Sequence, residues 1–306
     1  MKCPSSTAAC FPENFSQTLR YRHRIIIQIR NFFDTRGYVA VDTPVRVKSP
    51  GVDPYIDAVN AGAGYYLAPS PELHMKRLLC LDIDRLYQIT HAFRENEQGQ
   101  HHNCEFMMLE WYRKGTDYAG IMEETEELIL YITKEESLPI SSFRFPFEKV
   151  AVDELYVKCA DWRPSADWNE DRYFHDWVEK IDPYLKTKEG LFICDFPEPL
   201  AALSKPKEDN GKLCQRFELF IKGIEIANAY TELTDYEEHG RRFKNAREKR
   251  RQMGKDPYHI DEEFMRMISG GLPECGGIAL GIDRLIMAML AIDHIDHVQT
   301  FPFSRL

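Results

Sequence analysis

From Arg85 to Tyr112 the chain reads RLYQITHAFRENEQGQHHNCEFMMLEWY, two runs of alternating character flanking a polar loop. A period of two predicts a pair of strands, each with one polar face. In the first run Tyr87, Ile89, His91 and Phe93 share one parity, and Gln88, Thr90, Ala92 and Arg94 the other, so Arg94 points with the polar side. In the second run Phe106, Met108, Glu110 and Tyr112 share a face, projecting an aromatic plate, a carboxylate and a phenol together. Such a set suits a nucleotide held beside a cationic substrate. An ordinary cross-strand pair between Arg94 and Glu110 gives the same pattern.

Two further segments bear on that choice. RFELFIKGIEIANAYTEL, Arg216 to Leu233, places Glu218, Glu225, Asn228 and Glu232 in a β-patterned apolar run, where charge is costly without a partner. If Lys222-Gly223 forms a two-residue turn, Ile221 pairs with Ile224 and Glu218 with Ala227, making Glu218 and Glu225 diagonal neighbours on one face. Like charges so close favour a bound hard cation, against the alternative of solvated surface carboxylates. Asn228, Tyr230 and Glu232 have the opposite parity from Glu225, so a bulge near Ala227-Asn228 is needed to turn all of them to one pocket. GGIALGIDRLIMAML, Gly276 to Leu290, reads as a glycine-rich strand passing into a buried helix that retains Asp283 and Arg284.

The remaining pattern is mostly scaffold. Residues 15–36 form an amphipathic helix ending at a C′ glycine, Gly37. Glu123 to Glu136 predicts an acidic helix with a solvated face. Residues 137–213 show no chemistry beyond packing. The basic run Arg241 to Lys255 reads as a solvated helix or as a contact face for a partner.

A chain of 306 residues with 43% hydrophobic content supports one large core, so a single domain over 1–306 is expected. The net charge of −10 weighs against a protein held to nucleic acid by phosphate neutralisation, and no stable nucleic-acid partner is expected. The eight cysteines form no CxxC pair and no zinc spacing, so they read as reduced thiols. Neither an export signal nor a membrane span is visible, which predicts a cytoplasmic protein with no membrane association.

Together these segments resemble the signature motifs of class II aminoacyl-tRNA synthetases, most closely the lysyl-tRNA synthetase branch. GYVAVDTPV, Gly37 to Val45, resembles motif 1 with Pro44 as its proline; FRENEQGQHHNCEF resembles motif 2 and GIALGIDRL motif 3. SPELHMKRLL, Ser70 to Leu79, is similar to the lysine-family segment before motif 2. Motif 2 departs from the family in reading Arg94-Glu95-Asn96-Glu97, and in carrying Cys104 and Met107 in place of the usual proline and threonine.

The resemblance implies an α+β class II core, an antiparallel sheet flanked by helices, dimerised through the motif 1 region. It implies ATP as substrate with Mg²⁺. Arg94 and Arg284 would be catalytic, and Glu97, His102, Phe106 and Glu218 would line the ATP site with them. Glu218 and Glu225 would be the metal carboxylates, while Glu72, Glu110, Tyr112, Asn228, Tyr230, Glu232 and Ala279 would receive the amino acid. Fewer than about twenty residues precede the motif 1 helix, too few for an N-terminal OB-fold anticodon-binding domain, which needs roughly 50. The chain therefore resembles the free-standing ligase branch, which attaches (R)-β-lysine to a lysine side chain of elongation factor P. Ala279 agrees, standing where lysyl-tRNA synthetases usually have glycine and the ligases alanine. The alternatives are a truncated lysyl-tRNA synthetase-like enzyme charging tRNA or another amine, and a catalytically silent regulatory paralogue.

Overall fold

The computed structural model describes residues 12, 14–140 and 143–306. Cys3, Cys10 and most of the N-terminal segment read above lie outside the described residues. Helix α1 (Phe15–Asp34) buries Ile25, Ile29, Phe32 and Phe33 along one stripe. It stops where Gly37, at φ +72°, turns the backbone so that the Tyr38 amide bonds the Phe33 carbonyl at 3.1 Å. The chain then enters strand β1 (Val39–Ala40), and β2 (Arg46–Val47) pairs with β3 (Tyr66–Leu67) as a separate ribbon.

Helix α2 (Glu72–Leu79) leads to β4 (Arg85–Phe93) and β5 (Glu105–Lys114), then α3 (Tyr118–Thr133). A middle region follows: β6 (Glu148–Ala151), α4 (Val152–Ala160), α5 (Glu170–Asp176), a π-helical turn over Trp177–Ile181, α6 (Asp182–Leu185) and β7 (Leu191–Pro197). The C-terminal part adds β8 (Leu213–Ile221), β9 (Ile224–Thr231), α7 (Tyr236–Gln252), α8 (Glu262–Ile268), β10 (Cys275–Gly281) and α9 (Ile282–Leu290).

Eight strands form one sheet in the order β1-β4-β5-β10-β9-β8-β7-β6. The inner pairings are antiparallel as expected, but both edges, β1 on β4 and β6 on β7, are parallel, so the sheet is mixed. The class is α+β. The predicted turn forms at Lys222-Gly223 with φ of 50° and 80°, the double positive φ that a tight right-twisted hairpin demands. Its register corrects the expected pairing: Phe220 faces Glu225 but Leu219 faces Ala227, so Ile226 is the extra residue, just before the predicted bulge position.

One face of the sheet packs on α1, α3 and α9 through Leu109, Trp111, Phe217, Leu219, Ile278 and Leu280, all buried. Two charged segments differ from their sequence reading. On α3, Glu124 is buried and accepts hydrogen bonds from the Tyr38 hydroxyl at 2.7 Å and the Trp111 indole at 3.0 Å, although Glu123 and Glu127 are exposed. On α7, Arg250 is buried and donates to the carbonyls of Pro54, Ile56 and Asp256 and to the Asp57 carboxylate, stacking on Tyr258 at 3.9 Å. It straps segment 54–57 to the helix. Arg250→Ala strands those acceptors, and an unfolding cost of about 3 kcal/mol is expected by denaturant titration; a loss below about 0.5 kcal/mol would contradict the strap.

Candidate active site

Strands β5, β10, β9 and β8 are neighbours, and their register aligns Glu110 with Ala279, Ala279 with Asn228, and Asn228 with Glu218. Two residues along, Tyr112, Gly277, Tyr230 and Arg216 form a parallel row. Partners in register share a face, so these eight residues make a floor spanning three interstrand gaps, about 14 Å. The bulge at Ile226 sends that side chain into the core and leaves Glu225 opposite Phe220, on the face of Glu218.

At the β5 end the floor meets the start of α2. The Ser70 hydroxyl donates to Glu110 at 2.8 Å, and the Tyr112 hydroxyl donates to the other Glu110 oxygen at 2.6 Å. The Tyr230 hydroxyl donates to Glu72 at 3.0 Å. Lys76, one turn below Glu72 on α2, has no exposed surface and lies 2.5 Å from both Glu72 and Glu232. Despite that ion pair, neither Glu232 oxygen gains a well-directed hydrogen bond. Gly277 makes room for this cluster: a Cβ there would lie 2.2 Å from Glu232 Oε1 and 2.3 Å from Tyr112 Cε1.

Three carboxylates thus share one ammonium. Burial pushes Glu110 up to about 7, helped by the charge of Glu72. Burial likewise pushes Glu232 up to about 8, against the pull of Lys76. Although burial opposes it, Glu232 and Glu72 hold the Lys76 ammonium above the ordinary lysine range. The pocket is short of positive charge, and a ligand ammonium would supply it. For the two raised glutamates the folded chain binds protons that the unfolded chain has released, so they lower stability as pH rises from the ordinary glutamate value of 4.5 toward 8. A cationic ligand reverses that loss. Free lysine is therefore expected to raise Tm more at about pH 8.5 than at about pH 6; an equal or opposite shift in a thermal melt would contradict this charge deficit.

The second half of the site surrounds the loop after β4. Arg94 lies over the Phe106 ring at 5.1 Å and 3.7 Å from Glu97, and its Nε is buried without a hydrogen-bond partner. Arg284, in the first turn of α9, donates to the His101 carbonyl and to Glu225, whose carboxylate is 3.3 Å away. Burial, then Arg284, holds His102 below the ordinary histidine value. Asp283 is buried and occupied structurally, paired with Arg22 and accepting from the Met107 amide.

Between the halves, Arg216 donates to Glu218 at 2.6 Å and to Asn228 at 3.1 Å, and covers the Phe196 ring. Burial pushes Glu218 up to about 7, with Arg216 opposing and Glu225 adding to the rise. Among the described residues no group of three metal-ligating side chains occurs. Mg²⁺ does not require one, since it is usually held by one or two carboxylates plus substrate phosphates. The Glu218 and Glu225 pair fits that donor set.

The structure thus brings Arg94, Glu97, His102, Phe106, Glu225 and Arg284 together on one side, and Glu72, Glu110, Tyr112, Tyr230 and Glu232 on the other, with Glu218, Asn228 and Ala279 on the floor between. Lys76, Arg216 and Gly277 were not given roles by the sequence reading. For Arg216 the signal was present, because it shares the parity of Glu218.

Comparison with known proteins places this geometry. The family model for tRNA synthetases class II (D, K and N) matches residues 6–305. Curated relatives named elongation factor P--(R)-beta-lysine ligase are similar over almost their whole length. The Vibrio atlanticus protein is 37% identical, covering 94% of this chain and 96% of the relative. The Proteus mirabilis protein is 34% identical over 92% and 94%, and the Pectobacterium atrosepticum protein 33% over 98% and 99%. The chain belongs to the class II tRNA synthetase family of the D, K and N enzymes.

Proposed function

We propose that this chain is an ATP-dependent ligase that activates (R)-β-lysine, or lysine, as an acyl-adenylate and transfers it to a lysine side chain of elongation factor P. The observation that carries the reading is the pocket of Glu72, Glu110 and Glu232, three carboxylates with one resident ammonium, opening onto a floor that ends at two arginines. Relatives bearing that ligase name across the whole chain support it.

The diamine's far ammonium enters the glutamate pocket, and its carboxylate lies toward Arg94. A carboxylate oxygen attacks the α-phosphate in line, the bond to the bridging oxygen breaks, and pyrophosphate departs. Arg94 holds the two reacting anions together, and Arg284 takes up charge on the departing phosphates, both by bidentate guanidinium contact. Phe106 covers one face of the adenine, with His102 and Glu97 beside it. Glu218 and Glu225 are the residues that would hold Mg²⁺, which when bound neutralises phosphate charge. In the second step a neutral acceptor amine attacks the acyl carbon, the acyl–phosphate bond breaks with its electrons leaving on AMP, and the amine loses a proton.

Ala279 fills the position between Glu110 and Asn228, so its methyl group borders the acyl chain. Ala279→Gly is expected to shift the isomer preference toward α-lysine by roughly tenfold, within the 1–3 kcal/mol range of one methyl. The test is pyrophosphate release measured with each isomer. No isomer-dependent change would remove Ala279 from the pocket wall, and no amino-acid-dependent release by the unaltered chain would favour a silent binder.

The same reading treats the chain as one catalytic domain working in the cytoplasm as a homodimer through the motif 1 region, where Val39 and Val45 are 47% and 45% exposed. No described helix is long and apolar enough to cross a membrane. In this reading no stable nucleic-acid partner is needed.

A further inference from the structure

The reaction has three participants, and two of them account for only part of the space in the site. A cavity of about 700 Å³ runs from Glu72, Arg94 and Asn228 past Arg216 and Glu218 to an outer arm. Of the residues assigned to the nucleotide, Arg94 and Glu218 line its inner end while Phe106, His102 and Arg284 do not, and the diamine's far end is taken up by the glutamate pocket. The outer arm is left over. One of its walls comes from the middle region, which the sequence reading had assigned to packing alone, and the others from segment 49–56 and α7.

Those walls are aromatic. Tyr173, Phe174 and Trp177 lie on α5 and the π-helical turn after it, and Tyr55 faces Phe174 with ring centroids 6.5 Å apart. Phe174 is 44% and Tyr55 45% exposed, an unusual placement for two large rings at a cavity mouth. The mouth is held as an arch: the Tyr55 hydroxyl donates to Glu170 on α5, Lys249 on α7 lies 2.9 Å from the same carboxylate, and its ammonium sits 4.7 Å over the Tyr55 ring. Three separate chain segments therefore meet over one opening.

Deeper in the arm, Tyr173 stacks on Tyr156 at 4.7 Å and on Trp177 at 5.9 Å. Its hydroxyl is buried without a hydrogen bond of good geometry, and the Tyr156 hydroxyl donates instead to the Tyr173 backbone carbonyl. Tyr173 is close enough to Glu218 and Arg216 to feel both charges, and burial followed by Glu218 keeps its phenol protonated. The arm thus ends in a phenol that no protein group bonds with good geometry, on the same cavity as Arg216 and Glu218.

We propose that this arm is the channel through which the acceptor protein's lysine side chain reaches the adenylate, with Tyr55, Phe174 and Trp177 holding its methylene stem and the Tyr173 phenol receiving its amine. This rests on the ligase reading above and names the acceptor's subsite within it. The chemistry of the walls fits a lysine arriving uncharged. Aromatic surface favours the stem, and removal from water disfavours the ammonium, which must lose its proton before it can attack. The cations at the mouth are already paired, Arg241 with Glu198 and Glu238 and Lys249 with Glu170, so the arm offers no surplus positive charge for the phosphates of an RNA end.

Two acceptors separate the channel from the rest of the site. Hydroxylamine, a small amine, captures an acyl-adenylate as the hydroxamate without needing the aromatic walls, whereas elongation factor P must thread its lysine between them. Phe174→Ala and Tyr173→Phe are expected to lower kcat/KM for elongation factor P about tenfold or more, while hydroxamate formation stays within about twofold of the unaltered chain. Phe174 is exposed and Tyr173→Phe keeps the ring, so loss of fold is not the expected outcome for either. Elongation factor P transfer within twofold in both variants would overturn the channel, as would parallel loss of both products. If the unaltered chain forms hydroxamate but never modifies elongation factor P, the ligase reading itself fails and the channel with it. Charging of tRNA that falls in the same variants would reassign the arm to an RNA end and overturn the proposal.

Discussion

Gly277→Ala is expected to abolish use of a diamine substrate. The added methyl would lie 2.2 Å from a Glu232 oxygen and 2.3 Å from the Tyr112 ring, both buried, so either group could yield only into the pocket that takes the ammonium. Overpacking of this kind costs about 1–3 kcal/mol in stability. The larger effect falls on binding, because displacing Glu232 or Tyr112 breaks the carboxylate set that a substrate ammonium must meet. Loss of one such charged contact, about 3 kcal/mol, corresponds to roughly a hundredfold fall in kcat/KM for the diamine. The check is amino-acid-dependent pyrophosphate release against substrate concentration, with a thermal melt on the same sample. A variant that melts within a few degrees of the unaltered chain and keeps its kcat/KM would show that the ammonium binds elsewhere.

Arg284→Ala is expected to reduce activation about a thousandfold in kcat, near the upper range for removing one preorganised charge from a transition state. Arg284 is poised rather than consumed by structure: its contacts are the His101 carbonyl and the partly exposed Glu225, and a fifth of its side chain is open to solvent at 20%. Its removal should therefore leave the fold intact. Arg284→Lys should recover only part of the loss, since an ammonium cannot reproduce a two-pronged phosphate contact or lie flat on adenine. Activity within tenfold of the unaltered chain in Arg284→Ala would remove this arginine from the chemistry.

Much of this arrangement was legible because strands repeat every two residues. The shared face of Phe106, Met108, Glu110 and Tyr112 follows from parity alone, as does that of Gln88, Thr90 and Ala92, and β4 and β5 pair them as the alternation requires, with Arg94 one residue past the end of β4. The tight turn at Lys222-Gly223 was likewise a local property. The bulge was inferred from the need to bring Glu225 and Asn228 to one side, but nothing in IEIAN distinguishes Ile226 from its neighbours as the residue to insert.

Other features depended on tertiary burial, to which local pattern is blind. Lys76 stands four residues after Glu72, the spacing of an ordinary surface ion pair on a helix; only the tertiary approach of α2 to Glu232, just past β9, makes it the buried cation of the pocket. Arg250 sits in a run of exposed charge and differs from its neighbours only in facing segment 54–57. The middle region carried no clear period because its strands are short, lie at the parallel edge and are joined by helices of four to nine residues. Its aromatic residues looked like core, and most are; Phe174, on α5, and Trp177, at the start of the π-helical turn, line the cavity instead.

The ligase reading is tested most directly by the intact mass of elongation factor P after incubation with this protein, Mg-ATP and either (R)-β-lysine or α-lysine. The expected result is a gain of one lysyl group, larger with the β isomer, and no gain without ATP. Adenylate formation with no gain on elongation factor P from either isomer would contradict the account.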